Sequence, residues 1–511
     1  MRESGGQAFR HLARTVGPRM RLVAILVLAS AAPVSPLIAQ PTEEKTSERE
    51  VETDKPARQG IAGYWQGTLD VGVKLRVVVH IRQSPDGKLA ATLDSPDQGA
   101  TGIPISEIAL VSGTLSFRAK TVGGAFEGEL NDAGNEIAGQ WTQGGASLSL
   151  VLKPIDKPPE LKRPQEPKRP FPYEEEEVTY ENKPARVQIA GTLTWPKAPG
   201  PHGAVLLITG SGPQDRDESL MGHKPFLVLG DYLTRRGIAV LRVDDRGVGG
   251  STGNLEEATS ADLAGDVLAG VEFLKARKEI DARRIGLVGH SEGGLIAPMA
   301  AMESSDVAFI VLIAGPGVTG EEILYAQGQL ILRAGGATDT ELQQQRHAQE
   351  RLFAVVKDLA RQPSPDIAAA EKRLRELIAE IASNLPKEKK KAVSAAESLI
   401  HAQSKIILTP WFRYFLTYDP RPTLAKVKCP VLAVIGQHDL QVPPKQNLHE
   451  IEAALKAGGN TDFTVQELPS LNHLLQHCTT GSPAEYGQIE ETMAPEALAL
   501  IADWIVTRIQ R

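Results

Sequence analysis

One stretch constrains this 511-residue chain more than any other: Arg284–Ala297, read Arg-Ile-Gly-Leu-Val-Gly-His-Ser-Glu-Gly-Gly-Leu-Ile-Ala. Ile285–Val288 is an apolar run of buried-strand length, and a helix-like run, Gly294–Met302, comes soon after. Between them sits Gly289-His290-Ser291-Glu292-Gly293, a serine at the apex of a tight strand-to-helix turn. A serine on so sharp a turn needs neighbours without Cβ, because the backbone passes close to adjacent elements. The turn lifts the Ser291 hydroxyl clear of the sheet. It also leaves the N–H of Glu292 at a helix start, where an oxyanion is stabilised. The plainer alternative is an ordinary Gly-rich turn of a parallel sheet, so the rest of the chain must decide.

Around this stretch, apolar strands alternate with helices, which predicts a parallel sheet covered on both faces. Glu176–Tyr180 and Val187–Trp195 read as an opening hairpin. Ala204–Thr209, Ile238–Val243, the elbow strand, Val307–Ile313, Val431–Ile435 and Phe463–Leu468 complete an eight-stranded, mostly parallel sheet over residues 173–511. Pro225–Arg236 reads as a helix. So does Ser260 to about Lys278, with Asp262 and Asp266 near its N-terminus, as the helix dipole favours. An insertion, about 321–410, has no strand pattern. Glu341–Gln362, Ile367–Asn384 and Lys387–Ser404 read as its helices, forming a cap over the C-terminal edge of the sheet. The aromatic run Trp411-Phe412-Arg413-Tyr414-Phe415 closes it, either as cap-to-body packing or as a wall of a substrate pocket.

A serine hydroxyl is a poor nucleophile unless a base takes its proton, and the base needs a third group to orient it. In this topology the acid follows the seventh strand and the base the eighth. Asp439 lies just past Val431–Ile435, and His473 just past Phe463–Leu468. His438 and His477 are the weaker neighbours. Taken alone, Asp439 would be an ordinary turn or helix-cap acid. The loop Thr209-Gly210-Ser211-Gly212-Pro213-Gln214-Asp215-Arg216-Asp217 follows the third strand. Its glycines admit substrate, and the Ser211 N–H is the expected partner of the Glu292 N–H in an oxyanion hole. Ser211 as a second nucleophile has no base placed for it. Asp244-Asp245-Arg246-Gly247-Val248-Gly249-Gly250-Ser251 lacks the Lys-Ser/Thr of a phosphate loop and any dinucleotide fingerprint, so it reads as support for the elbow. No cofactor or metal site is indicated.

This set resembles the α/β-hydrolase superfamily, and within it the bacterial esterases related to S33-type serine aminopeptidases and dienelactone-hydrolase-like proteins. The resemblance rests on the segments from Ile208, Asp244, Gly289 and Gly436 and on Asn472-His473, and it covers about Val178 to the C-terminus. It implies a catalytic triad and hydrolysis of esters or amides. Thr209 stands where many members have His before the oxyanion glycine.

The N-terminal third differs. Arg10, Arg14, Arg19 and Arg21, the apolar run Leu22–Ala32 and small residues up to Ala39-Gln40 follow the order of a secretory signal peptide, residues 1–40. Periplasmic or secreted localisation follows, with no membrane span in the mature chain. Residues 41–59, rich in Glu, Lys, Thr and Pro, read as a disordered leader. Residues 60–153 carry about eight short alternating strands, expected to form a small antiparallel barrel or sandwich. Trp65 and Trp141 plug its core or, less simply, bind a sugar or lipid. Residues 154–172 are a Pro-rich linker expected to be extended. Cys429 opens one strand while Cys478 lies past a loop at the far end of the sheet. A five-residue strand spans about 17 Å and disulfide Cα atoms lie within about 7 Å, so the two are expected unpaired. A net charge of −7 gives no reason to expect nucleic-acid binding.

The expected function is a secreted serine hydrolase acting on small carboxylic esters. One rival is an aminopeptidase-like enzyme on the same triad, with Glu321, Glu322 or Asp419 anchoring a substrate amine. The other is a ligand-binding protein with an inert hydrolase fold.

Overall fold

The computed structural model describes residues 60–70, 74–98, 100–143, 146–159, 162–383 and 405–510. The expected signal segment, the expected leader and the expected helix at 387–404 lie outside the described residues. The chain divides into two compact units, with the division between Leu161 and Lys162.

In the N-terminal unit nine strands form one antiparallel sheet. They are Gly63–Asp70 (β1), Lys74–Gln83 (β2), Leu89–Ser95 (β3), Ala100–Ile105 (β4), Glu107–Val111 (β5), Thr114–Ala119 (β6), Gly124–Leu130 (β7), Ile137–Gln143 (β8) and Ala146–Ile155 (β9). Their order is β4-β3-β2-β1-β9-β8-β7-β6-β5. β3 approaches β5 and β4 approaches β6, so the two ends of the sheet curl toward each other. Val77, Val79 and Ile81 of β2 alternate inward and meet Leu115 and Phe117 of β6 in one core. The count exceeds the expected eight. Only Ser106 separates β4 from β5, too short a break to mark in sequence. Trp65 and Trp141 are buried at 1% and 2% exposure, which is the core-plug reading. The Trp65 indole donates to the Ile61 carbonyl at 2.8 Å. Trp141 lies over Gly124, where any Cβ would come within 2.3 Å of the ring.

The second unit carries an eight-stranded sheet: Tyr173–Asn182 (β10), Val187–Pro196 (β11), His202–Ile208 (β12), Ala239–Val243 (β13), Ile280–His290 (β14), Val307–Ile313 (β15), Val431–Gly436 (β16) and Phe463–Leu468 (β17). The order is β10-β11-β13-β12-β14-β15-β16-β17. The β10–β11 and β11–β13 pairings are antiparallel and the others parallel. The central strands are apolar at nearly every position because each face meets a helix layer. Ala204, Leu206 and Ile208 of β12 face one core with Ser260–Lys275 (α2), Gly293–Glu303 (α3) and Pro444–Ala457 (α9). Val205 and Leu207 face the other, with Pro225–Arg235 (α1) and Pro495–Ile509 (α10). Each fully buried Val, Leu or Ile contributes about 1.5–3 kcal/mol.

Helix α2 starts on a reciprocal capping box between Thr259 and Asp262. Asp266 does not serve the helix dipole. It is buried, receives Arg246 Nε at 2.7 Å and Asn182 Nδ2 at 2.7 Å, and so ties the loop after β13 to the opening hairpin.

The insertion after β15 contains Gly320–Ala334 (α4), Asp339–Ala360 (α5) and Ile367–Ser383 (α6), and is followed by Pro410–Thr417 (α7) and Arg421–Leu424 (α8). Helix α4 was not foreseen from periodicity. Its signal is the capping box Thr319-x-x-Glu322. Phe353, Phe412, Leu416 and Leu374 build a separate apolar core for the cap. Phe412 and Phe415 are buried there, so the closing aromatic run is mainly cap packing.

Part of the Pro-rich segment is tightly held. Arg163 donates to the carbonyls of Met221, Gly222, Gly487 and Ile489 at 3.0–3.1 Å. Gln165 bonds the main chain of Thr492 and Met493. The extended run expected at 154–172 thus becomes, from residue 163, an anchored edge of the second unit. Cys429 and Cys478 are both free. Among the described residues no helix is long and apolar enough to cross a membrane.

Candidate active site

The turn between β14 and α3 carries Ser291 at φ 51°, in the left-handed region that non-glycine residues avoid. Its N–H is fixed by the Ile313 carbonyl at 2.8 Å. A Cβ on Gly289 would lie 2.0 Å from the Gly293 carbonyl oxygen, and one on Gly293 would lie 2.1 Å from the Ile208 carbonyl oxygen. Glycine at both positions is therefore a steric requirement of the turn. Glu292 caps α3, and its N–H has no protein acceptor among the described residues.

The C-terminal ends of β16 and β17 bring Asp439 and His473 together. His473 Nδ1 donates to Asp439 Oδ2 at 2.8 Å, and both side chains are buried. The other carboxylate oxygen, Oδ1, accepts the N–H groups of Gln441 and Val442, each at 2.8 Å. Three donors therefore hold the carboxylate in one orientation. The neighbouring histidines are directed elsewhere. His477 is exposed between Glu491 and Glu496, and His438 lies against Cys478 Sγ at 3.6 Å.

The loop after β12 reaches the serine. A Cβ on Gly210 would sit 3.3 Å from Ser291 Cβ. The Gly210 N–H is already taken by Glu218 Oε1 at 2.7 Å, whereas the Ser211 N–H has no protein acceptor among the described residues. The loop after β13 supports this segment more than the elbow. Asp244 accepts from the Arg216 N–H and guanidinium and from the Gly250 N–H. Asp245 accepts from Thr209 Oγ1 at 2.7 Å and from the Gln214 N–H at 3.0 Å. Burial pushes the Asp245 carboxyl up to about 8, against these hydrogen bonds, and the charges of Glu292 and Glu218 add to the rise.

The Glu292 side chain is buried and accepts from Ser260 Oγ at 2.6 Å and from the Trp411 indole N–H at 2.8 Å. Trp411 stacks on Phe415 with ring centroids 5.6 Å apart. The cap also reaches the acid loop, where Gln327 Nε2 meets Gln441 Oε1 at 3.4 Å. These two contacts place the cap over the ends of β14 and β16.

Sequence reasoning missed Glu218 and His290. His290 is the residue before Ser291, buried at 7% exposure, with Nδ1 2.8 Å from Glu218 Oε1 and Nε2 3.1 Å from the His473 carbonyl oxygen. Burial alone would lower its pKa. The Glu218 charge and hydrogen bond, the His473 carbonyl and Asp439 outweigh that and raise it. Position 290 is a free position in the elbow pattern, and Glu218 ends a run of charged residues, so neither stood out. The three carboxylates considered as amine anchors are all engaged. Glu321 meets Lys357 Nζ at 2.6 Å and the Tyr325 hydroxyl at 2.9 Å. Glu322 caps α4 and pairs with Arg421, which also holds Asp419.

Comparison with known proteins gives a family match over more than half of the chain. The model of X-Pro dipeptidyl-peptidase (S15 family) matches residues 161–469. Esterase EstD of Thermotoga maritima is 27% identical over 342 residues, covering 66% of this chain and 68% of that protein. Among solved structures, the Pyrococcus furiosus esterase Pf2001 is 17% identical with a TM-score of 0.37, over 61% of this chain and 91% of that one. Ferulic-acid-bound Est1E of Butyrivibrio proteoclasticus is 16% identical with a TM-score of 0.35, over 65% and 100%. These two likenesses add no weight to the family match.

Proposed function

Because this chain belongs to the X-Pro dipeptidyl-peptidase (S15) family of the α/β-hydrolase superfamily, we propose that it is a serine hydrolase, secreted or periplasmic, that cleaves small carboxylic esters through an acyl-enzyme. The observation that carries this reading is the buried His473–Asp439 hydrogen bond at 2.8 Å, at the same end of the sheet as the strained Ser291 turn.

In this reading Ser291 Oγ attacks the carbonyl carbon while its proton passes to His473 Nε2. Asp439 keeps Nδ1 protonated, so Nε2 is the free base, and it stabilises the imidazolium that forms. The oxyanion lies between the N–H groups of Ser211 and Glu292, and one such donor is worth about 3–4 kcal/mol in comparable sites. The tetrahedral intermediate collapses, His473 returns the proton to the leaving alcohol, and water repeats the sequence to release the acid. The cap from Gly320 to Ser383, with Trp411 and Phe415, limits the acyl groups that enter.

The family name itself favours a second reading, removal of a dipeptide from a peptide N-terminus. Against it, each of the three candidate anchors already has a cationic partner: Glu321 pairs with Lys357, while Glu322 and Asp419 share Arg421 with Glu450. The test is a panel of p-nitrophenyl esters beside aminoacyl-proline anilides, with wild type and Ser291→Ala. Ester turnover lost with the serine supports the proposal. Turnover or fluorophosphonate labelling that survives Ser291→Ala would remove it, and anilide turnover exceeding ester turnover would favour the peptidase.

A further inference from the structure

Glu218 and His290 have no role in the ester chemistry above, yet their contacts span the whole site. His290 Nε2 faces the His473 carbonyl oxygen, which only accepts, so this nitrogen donates. His290 Nδ1 faces a carboxylate oxygen, which also only accepts, so it donates as well. Two acceptor-only partners require the imidazolium. The same oxygen, Glu218 Oε1, takes the Gly210 N–H at 2.7 Å. Glu218 itself is buried at 4% exposure with φ 53°, a conformation kept only where the surroundings hold it. Its second oxygen, Oε2, is buried without a partner among the described residues, so its environment is built around Oε1.

We propose that Glu218 and His290 are a buried charged pair that positions the oxyanion loop and the base loop around Ser291. The inference rests on the assignment of Ser291, Asp439 and His473 made above. Glu218 fixes the Thr209–Gly210 peptide, the unit just before the one that carries the Ser211 N–H, and so helps aim that N–H. His290 fixes the main chain of His473, while Asp439 holds its ring. The His290 ring lies 4.9 Å from the His473 ring, centroid to centroid. The other charged groups around the pair are Asp439, which faces both histidines, and Asp245, which feels the charges of Glu218 and Glu292.

Glu218→Ala, His290→Phe and the double variant, compared by steady-state kinetics on a p-nitrophenyl ester, test this. Each single change should lower kcat by about 10- to 100-fold, the effect of misplacing catalytic groups, with KM changed by less than about threefold. The double variant should be no slower than the worse single one, because the two residues act as a unit. Glu218→Gln keeps an oxygen for the Gly210 N–H, so it should be milder than Glu218→Ala. Should Glu218→Ala or His290→Phe not fold, Glu218→Gln and His290→Asn replace them. Unchanged kcat in the single variants, or multiplicative losses in the double variant, would each overturn the inference. Ser291→Ala separates the failures: if it is inactive while the pair variants behave as wild type, only the positioning role falls.

Discussion

Replacing Asp439 by Asn tests the proposed chemistry most sharply, because the structure dictates which way the new amide must face. Asp439 Oδ1 receives two main-chain N–H groups, from Gln441 and Val442, each at 2.8 Å. An amide nitrogen there would oppose two donors in a buried site and cost about 1–3 kcal/mol for each group left unpaired. The asparagine therefore keeps its oxygen toward Gln441 and Val442 and turns its NH₂ toward His473. That donor now meets Nδ1, which must become an acceptor, so the His473 proton moves to Nε2. A protonated Nε2 cannot take the Ser291 proton. Loss of this kind in other serine hydrolase triads is about 10⁴-fold in kcat, close to 5.5 kcal/mol. The expected result for Asp439→Asn is thus a kcat fall of about 10³- to 10⁴-fold, KM near wild type and an unchanged thermal midpoint. Stopped-assay kinetics on p-nitrophenyl acetate and a thermal melt measure both. Activity within about tenfold of wild type would refute the tautomer argument and with it the role of Asp439.

Three further outcomes follow from buried groups. Asp245→Asn reproduces the protonated acid, donating to Thr209 and accepting from Gln214. The folded pKa lies above the unfolded one, so the wild type loses stability as pH rises from about 4 to about 8, and the variant should not. Its advantage in denaturant unfolding should be small near pH 5 and on the order of 1 kcal/mol or more at pH 8.5. Trp411→Phe keeps the stack on Phe415 but removes an indole donor from the buried Glu292 carboxylate. It should cost about 1–3 kcal/mol in urea unfolding and alter acyl-chain preference, while Phe415→Leu should alter preference with less effect on Glu292. Gly124→Ala places a methyl group inside van der Waals range of Trp141 and should lower the melting point of the N-terminal unit, read by tryptophan fluorescence, with ester turnover unchanged.

Much of the framework was legible because its signals are local. Gly289 and Gly293 mark the turn since nothing larger fits within about 2 Å of the Gly293 and Ile208 carbonyls. The strands around it show as apolar runs because both their faces are covered. Counting strand ends led to Asp439 and His473, whose contact is present in the structure, while their catalytic roles belong to the proposal. What periodicity could not show was helix α4, whose core face is interrupted by Gln327, which bonds Gln441, and by Gly328, which packs on Gln345 and Gln349.

The sequence alone determined where most of the strands, turns and helices lie, because side-chain alternation and glycine spacing act over a few residues. Only the tertiary structure decided which charges meet. Glu218 and His290 are 72 residues apart, Trp411 and Glu292 are 119 apart, and Arg163 reaches Ile489 across 326. No local pattern selects such partners. They follow from which loop ends share the C-terminal edge of the sheet, where burial makes an unpaired polar group costly and so fixes every pairing around Ser291.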